Sequence, residues 1–562
     1  MRGSPLLGFL LFYPLFLQWG ILSYGSVAAQ QGTWYDYTAY TECKRSPEAA
    51  LYRGGVIKEG ADTVRETTVG SSSPAFVLLN LTATTIYSFS CWVKINRGAD
   101  SALLKARLST GDGVLNCIGS SVVKRHCWSF LKGGFVLDTA SQTSLVFFQN
   151  ADGKPIDISL VSASLQPFSA EEWEMHRNNS ISRKRKRAVA IHVSDAEGNP
   201  VSGASVSVEQ IAKDFPFGSA IAKTILGNSK YQDWFVERFN AAVFENELKW
   251  YATEPEPGRL NYTVADAMLR FVHAHHILVR GHNIFWEDPR YTPAWVRNLS
   301  SADELRSAVS SRITGLLSRY KGDFVHWDVS NEMLHFDFYE RRLGNTNASL
   351  EFFAAARAAD PLATLFMNDF NVVETCDDVN STVDDYVARL RELMRGGAAN
   401  LEGIGLEGHF SKPNLPLIRA VLDKLSTLHL PIWLTEVDIS KTFDRQTQAK
   451  YLEGVLREGF SHPGVNGIML WSALHPNVSC YQMCLTDDDL ENLPAGDVVD
   501  RLLNEWETKW AGGETNDHGI FSFVGFLGEY MVSATYGNRT SETTLSLSQG
   551  DETSHLNIQL QY

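Results

Sequence analysis

Between residues 30 and 170 the apolar positions come in short runs broken by Gly, Ser and Asn. Examples are Ala75-Phe76-Val77-Leu78-Leu79, the run 87–93 and Ser144-Leu145-Val146-Phe147-Phe148, while Ile156-Asp157-Ile158-Ser159-Leu160 alternates strictly. Helical periodicity is scarce, so the pattern predicts an all-β sandwich or jelly roll. From 211 to 512 the period changes. Eight short apolar runs, at 215–221, 242–245, 277–283, 325–331, 364–369, 403–409, 432–436 and 467–471, alternate with helical stretches such as 303–320 and 382–394. Eight β-then-α units in about 300 residues predict a (β/α)8 TIM barrel. A doubly wound sheet normally has fewer units, and no Gly-rich phosphate loop follows the first strand.

The segments flanking the barrel are β-type as well. Residues 189–210 read as a strand, a polar turn holding Gly198 and Pro200, and a second strand. The tail, 516–562, holds strand-like runs at 517–523 and 528–534. Neither piece alone has enough strands to bury a core. Barrel termini lie close together, so the two pieces are predicted to form one small β-sandwich into which the barrel is inserted. They resemble the two halves of a transthyretin-like sandwich of the carboxypeptidase-regulatory type. Between the first module and this sandwich, 171–188 carries the run Arg183-Lys184-Arg185-Lys186-Arg187 and reads as a solvated basic linker.

Composition narrows the class. The chain has 562 residues, 44% of them hydrophobic and 20% charged, which excludes disorder of the whole. A net charge of -15 excludes binding of a nucleic-acid backbone through the general field. Residues 1–29 hold Arg2, an apolar run 6–17 interrupted by Pro14, and small residues 26–29. The run is shorter than the roughly 20 residues that span a bilayer, so it reads as a secretory signal cut near Ala29, leaving no membrane span in the mature form. Eight N-x-[S/T] sequons, at Asn80, Asn178, Asn261, Asn298, Asn347, Asn380, Asn477 and Asn538, fit a secreted, extracellular glycoprotein. Of the seven cysteines none forms CxxC or a zinc-type cluster; some should pair, and an odd count leaves at least one free thiol. No metal or cofactor is expected, and a monomer is.

Candidate chemistry lies where barrel strands end, since active sites of such barrels sit at that face. The fourth run ends in Asn331-Glu332 and the seventh in Thr435-Glu436. Two carboxyls across one barrel mouth are what glycoside hydrolysis needs: one protonates the leaving oxygen and one meets the anomeric carbon.

The motifs Glu245-Asn246-Glu247-Leu248-Lys249-Trp250, Arg280-Gly281-His282-Asn283-Ile284-Phe285-Trp286, Trp327-Asp328-Val329-Ser330-Asn331-Glu332, Asn368-Asp369-Phe370-Asn371 and Leu434-Thr435-Glu436-Val437-Asp438 resemble those of plant-type glycoside hydrolase family 10, the endo-1,4-beta-xylanases. The resemblance implies retaining hydrolysis of cell-wall xylan. It implies that Glu332 is the acid/base, Glu436 the nucleophile, and Asn331 a partner of the 2-hydroxyl. His409 would hold Glu436, with Asp438 orienting that histidine. Glu245, Asn246, Lys249, His282, Trp286, Glu407 and Trp471 would contact or wall the sugar. Glu407 departs from the usual Gln, Glu287 from the usual His, and near Tyr481 a second cleft Trp is missing. Transfer to a second xylan chain, or a catalytically weak xylan-binding protein, are the alternatives. The first module, 30–170, resembles carbohydrate-binding module family 22, with Trp92 and Trp128 as stacking or core candidates.

Overall fold

The computed structural model describes residues 33–57, 63–69, 74–111, 113–395 and 401–561; the expected signal peptide lies outside them. The first module is a sandwich of two antiparallel four-stranded sheets. One runs Arg65–Val69, Ile156–Phe168, Ile86–Arg97, Ser129–Val136, and the other Phe76–Leu81, Ser141–Asn150, Ser101–Ser109, Asn116–Lys124. Phe89, Val93, Ile95, Leu104, Ile118, Leu131 and Leu165 fill the space between them. Trp92 and Trp128 pack with Phe130 and Val161 in a second buried cluster, so both serve the module's own packing.

The stretch expected to be a solvated linker is instead a docked helix, Ala170–Lys184. Ser169 and Glu172 form a reciprocal capping box at its start. Trp173, His176 and Ser180 recur at helical spacing and are buried. The Trp173 indole donates to Glu458 at 3.0 Å and the Ser180 hydroxyl to the Ser461 carbonyl at 2.6 Å. The basic run is also structural. Arg185 donates to the carbonyls of Phe460, His462 and Val465, and Lys186 begins the strand Lys186–Ser194. Helix C-terminal carbonyls attract cations, and two of these, Phe460 and His462, close the helix Arg445–Ser461.

The small sandwich is built from both flanks. Ser205–Lys213 pairs antiparallel with Gly528–Tyr536 and with Trp510–Glu514, while Lys186–Ser194 pairs with Ile520–Phe526 and, in parallel, with Ser554–Gln559. Val189, Ile191, Val206, Val208, Tyr530, Val532, Leu545 and Ile558 form one core. Its strands begin at Lys186 and Trp510, slightly outside the expected limits of 189 and 516.

Eight parallel strands form the barrel: β1 (Phe217–Ile221), β2 (Ala241–Phe244), β3 (Leu278–Gly281), β4 (His326–Asn331), β5 (Thr364–Asp369), β6 (Leu401–Leu406), β7 (Ile432–Ile439) and β8 (Val465–Leu470). Pairing runs around the ring and closes, β8 lying beside β1. The predicted sixth strand is two pieces. β6 ends at Leu406, and His409–Phe410 forms a separate short strand with His409 opposite Asp438 of β7.

The first module is fixed to the barrel. Lys132 and Asp423 form a fully buried ion pair at 2.6 Å, and Asp423 also accepts from the Tyr35 hydroxyl at 2.7 Å. His462 accepts from Gly464 N at Nδ1, so its Nε2 carries the proton donated to Asp423 at 3.1 Å. Cys117–Cys376 joins the two covalently; Cys43–Cys127 and Cys480–Cys484 pair locally, and Cys91 is a buried free thiol. All eight sequon asparagines are exposed, and among the described residues no helix is long and apolar enough to cross a membrane.

Removing residues 516–562 should strip Lys186–Ser194 of both its sheet partners and leave Ser205–Lys213 paired with Trp510–Glu514 alone. The expected result is loss of soluble protein or a Tm several degrees lower, read by soluble yield and thermal unfolding. Normal yield and Tm would contradict a shared core.

Candidate active site

The ends of β4, β5 and β7 meet at one face. Asn331 closes β4, and Glu332 follows it in the left-handed region, at φ 61°. For a residue with a Cβ this costs about 1 to 3 kcal/mol, which the surrounding structure must hold. One tie is visible: Glu332 N donates to the Asn368 carbonyl at 2.9 Å. Glu436 lies within β7, where the register against β8 shifts between Leu434 and Val437. That irregularity interrupts strand alternation at the residue facing the mouth. Glu436 N donates to the Glu407 carbonyl at 2.7 Å, which ties β7 to the segment after β6.

Asn368, at the end of β5, joins these groups. Its Oδ1 accepts from the Thr435 hydroxyl at 2.5 Å, which fixes the amide orientation. Its Nδ2 then donates to Asn331 Oδ1 at 2.9 Å and to Glu436 Oε1 at 2.9 Å, with Glu407 Oε1 farther off at 3.4 Å. An amide has two hydrogens, so Asn331 and Glu436 take both.

The electrostatics separates the carboxyls. Burial alone would raise Glu436, but His282, His409 and Lys249 outweigh it and bring its pKa to about 2. Glu332 is pushed up to about 8. Burial is the largest cause, followed on the raising side by the charges of Asp369, Glu436 and Asp288. The Trp286 indole opposes the rise without reaching hydrogen-bond geometry. Glu407 is driven well above the usual carboxylate range by burial and then by Glu436 and Glu332.

His409 supplies the balancing charge. Burial opposes its protonation, but Asp438 and then Glu436 hold its pKa well above the ordinary value. Its Nε2 lies 3.5 Å from both Glu436 and Glu407, and its Nδ1 lies 3.0 Å from Asp438, an ion-pair distance without hydrogen-bond alignment. Glu407, His409 and Glu436 bring their ligand atoms within 4.8 Å of one another, close enough to accept a cation. A protonated His409 already places positive charge there and offers no lone pair. His282 Nδ1 lies 2.9 Å from Asp328, which also pairs with the buried Arg280 at 2.6 Å.

Polar and aromatic groups extend the site. Glu245 pairs with His475 at 2.6 Å and accepts from Asn246. Lys249 lies between two indoles, 4.4 Å from the Trp286 ring centre and 5.5 Å from that of Trp471. Burial lowers its pKa, opposed by Glu436, Glu245, Glu332 and Glu407. Trp286 stacks on Tyr291 at 3.8 Å, and Trp471 meets His282 edge-on at 5.2 Å. Tyr481 is half exposed with its ring 5.2 Å from His409.

Every site residue expected from the sequence is therefore linked to this mouth by contact. Glu287 is not. It turns into the wall, accepting from the Ser330 hydroxyl at 2.7 Å and from Tyr339 N at 3.2 Å, and burial pushes its pKa up to about 7. Asn368, Asp328, His475 and Tyr291 were not singled out as site residues. For Asn368 and Asp328 the available signal was a polar side chain within a buried barrel strand. His475 lies in an irregular segment and Tyr291 closes a three-residue 3-10 turn, where nothing local marks them.

The model of glycosyl hydrolase family 10 matches residues 207–493. Among similar proteins, endo-1,4-beta-xylanase 5-like from Arabidopsis thaliana is 39% identical, over 77% of this chain and 75% of its own length. Endo-1,4-beta-xylanase 4 from the same organism is 34% identical over 93% of each. A solved xylanase 10B from Thermotoga petrophila, in complex with xylobiose, is 23% identical, with a TM-score of 0.46 over 52% of this chain and 94% of its own. The extent of the family match and of the relatives' coverage establishes that this chain belongs to glycosyl hydrolase family 10.

Proposed function

We propose that this enzyme is a secreted endo-1,4-beta-xylanase that cleaves internal β-1,4 bonds of cell-wall xylan with retention. The observation that carries the reading is the opposite displacement of two carboxyls in one mouth, Glu332 up to about 8 and Glu436 down to about 2. At neutral pH one is an acid holding its proton and the other an anion. Glu436 attacks the anomeric carbon while Glu332 gives its proton to the departing glycosidic oxygen. The bond to the leaving chain breaks and a glycosyl ester forms on Glu436. Formation of the ester removes the charge on Glu436 that helped keep Glu332 protonated. The pKa of Glu332 then falls, and Glu332 is left as a base. It takes a proton from water as the water oxygen attacks the same carbon, which frees Glu436 and restores the starting state.

The remaining residues have roles consistent with this. Asn331, held by Asn368, would meet the 2-hydroxyl of the sugar being cleaved. His409, with Asp438 behind it, and His282 stabilise the ionised Glu436. Glu245, Asn246 and Lys249 offer a charged, hydrogen-bonding face to the glycone side, and Trp286 and Trp471 offer apolar walls. Secretion is supported by the apolar N-terminal run and by eight exposed sequons, which would carry glycans outside the cell.

Glu436→Ala should abolish turnover of every xylan, and azide should restore cleavage with inverted anomeric outcome, because a small anion fills the vacated face. Glu332→Ala should spare aryl xylosides with good leaving groups, which need little protonation. Retention of more than a few percent of activity by Glu436→Ala would refute the assignment. Sizing the products of labelled xylan oligomers separates hydrolysis, which only shortens chains, from transfer, which also lengthens them.

The pH–rate profile should be bell-shaped. Glu332 must hold its proton, so activity falls as pH rises through about 8; Glu436 must be ionised, so activity falls only as pH drops toward about 2. Glu407→Gln replaces a coupled carboxyl by a neutral amide and should reshape the alkaline limb while the fold is kept. An unchanged curve from roughly pH 4 to 8 would remove Glu407 from the titrating set.

A further inference from the structure

The segment 374–378 sits between the barrel mouth and the N-terminal sandwich, and its side chains divide between the two. On the barrel side, the Glu374 carboxylate is buried and accepts from the amides of Gly408 at 2.9 Å and His409 at 3.1 Å. Gly408 has φ +94°, a conformation that favours glycine, and it immediately precedes the histidine beside Glu436. Asp378 accepts from the Asn371 amide at 2.8 Å and lies 3.1 Å from His335 Nε2. His335 reaches Asp369 through its other nitrogen at 2.6 Å, and its own amide donates to the Glu332 carbonyl at 3.2 Å. One segment therefore supports the turn after β4 that bears Glu332 and the stretch after β6 that sets His409 beside Glu436.

On the other side the sandwich holds the same segment. Cys376 is disulfide-bonded to Cys117, across a sequence separation of 259. Lys105 donates to the Asp377 carbonyl at 2.6 Å, and Arg107 pairs with the Asp377 carboxylate. Just beyond, Val122 N donates to Asp384 at 2.8 Å. A covalent bond, a buried cation and an ion pair converge within three residues of Glu374. That is more fixation than a tethered accessory module needs.

We propose that Glu374 is a positioning residue for the catalytic pair, and that the N-terminal sandwich acts through Cys376 and Asp377 to hold Glu374 in place. This rests on the reading of Glu332 and Glu436 as the reacting groups. The physical chain is short. Glu374 fixes the backbone of Gly408 and His409. His409 then keeps its charged ring 3.5 Å from Glu436. That charge is among those that hold Glu436 ionised. The sandwich thereby contributes to the chemistry without touching substrate at the cleaved bond.

The test uses the full chain and xylan oligomers. Glu374→Ala should lower kcat on the order of 10-fold to 100-fold with little change in KM, because the displaced group acts on the reacting centre. The acid limb of its pH profile should move up, since Glu436 loses part of its stabilising charge. Glu374→Gln keeps an oxygen acceptor for both amides and should recover most of kcat. The double variant Cys117→Ser, Cys376→Ser should lower kcat and shift the acid limb in the same direction. Combined with Glu374→Ala it should cost little more, since both act through one element. If Glu374→Ala fails to fold, the disulfide variant and Glu374→Gln carry the test alone. The proposal is overturned if folded Glu374→Ala keeps wild-type kcat and acid limb. It is also overturned if the disulfide variant loses Tm but keeps both. If the wild type itself leaves xylan uncut, the functional reading has failed instead.

Discussion

Two carboxyls buried in one barrel mouth cannot both ionise freely, and the order of this site follows from which of them does. Burial acts on both in the same direction. What separates them is their neighbours: His282, His409 and Lys249 act to lower Glu436, while the charges acting on Glu332 are mostly negative. Once Glu436 is anionic it adds to the field that keeps Glu332 protonated. The asymmetry reinforces itself until Glu436 becomes an ester, when it reverses in the way the second half of the reaction requires.

The fold serves this constraint at several distances. Asn368 spends both amide hydrogens on Asn331 and Glu436, so Glu407 receives the weaker share at 3.4 Å. Glu407 is therefore best accommodated as a neutral acid, in agreement with the direction of its displacement. A third carboxyl at this position need not repel the nucleophile while it keeps its proton. Farther out, the sandwich, the docked helix and the composite β-domain fix the outside of the barrel. The buried Lys132–Asp423 pair, completed by His462 and Tyr35, links the first module to the barrel, and removing either partner would leave the other's charge buried and unpaired.

Much of this was legible in the sequence because the signals were periodic or chemical. Eight apolar runs at regular spacing announced the barrel, and acids following apolar strands announced Glu332 and Glu436. The pairing of 189–210 with the tail was legible because neither could bury a core alone. The basic stretch 183–187 is not a solvated linker: its charge composition masks the spacing of Trp173, His176 and Ser180 that buries the helix before it. The carbonyls that Arg185 satisfies come from residues more than 270 positions away, which no local pattern reveals. The same limit hid Asn368 as the link between strands and the fixation of 374–378 by the first module. Such roles depend on which strand ends meet, and topology decides that.

The most direct measurement is a carbon-13 NMR titration of glutamate side-chain carboxyls, with Glu332 assigned by its loss in Glu332→Gln and the experiment repeated in Glu436→Gln. The account predicts that Glu332 titrates near about 8 in the free enzyme and at a clearly lower pH once the charge at Glu436 is gone. A Glu332 carboxyl that titrates at the ordinary glutamate value of roughly 4.3 in both proteins would contradict it.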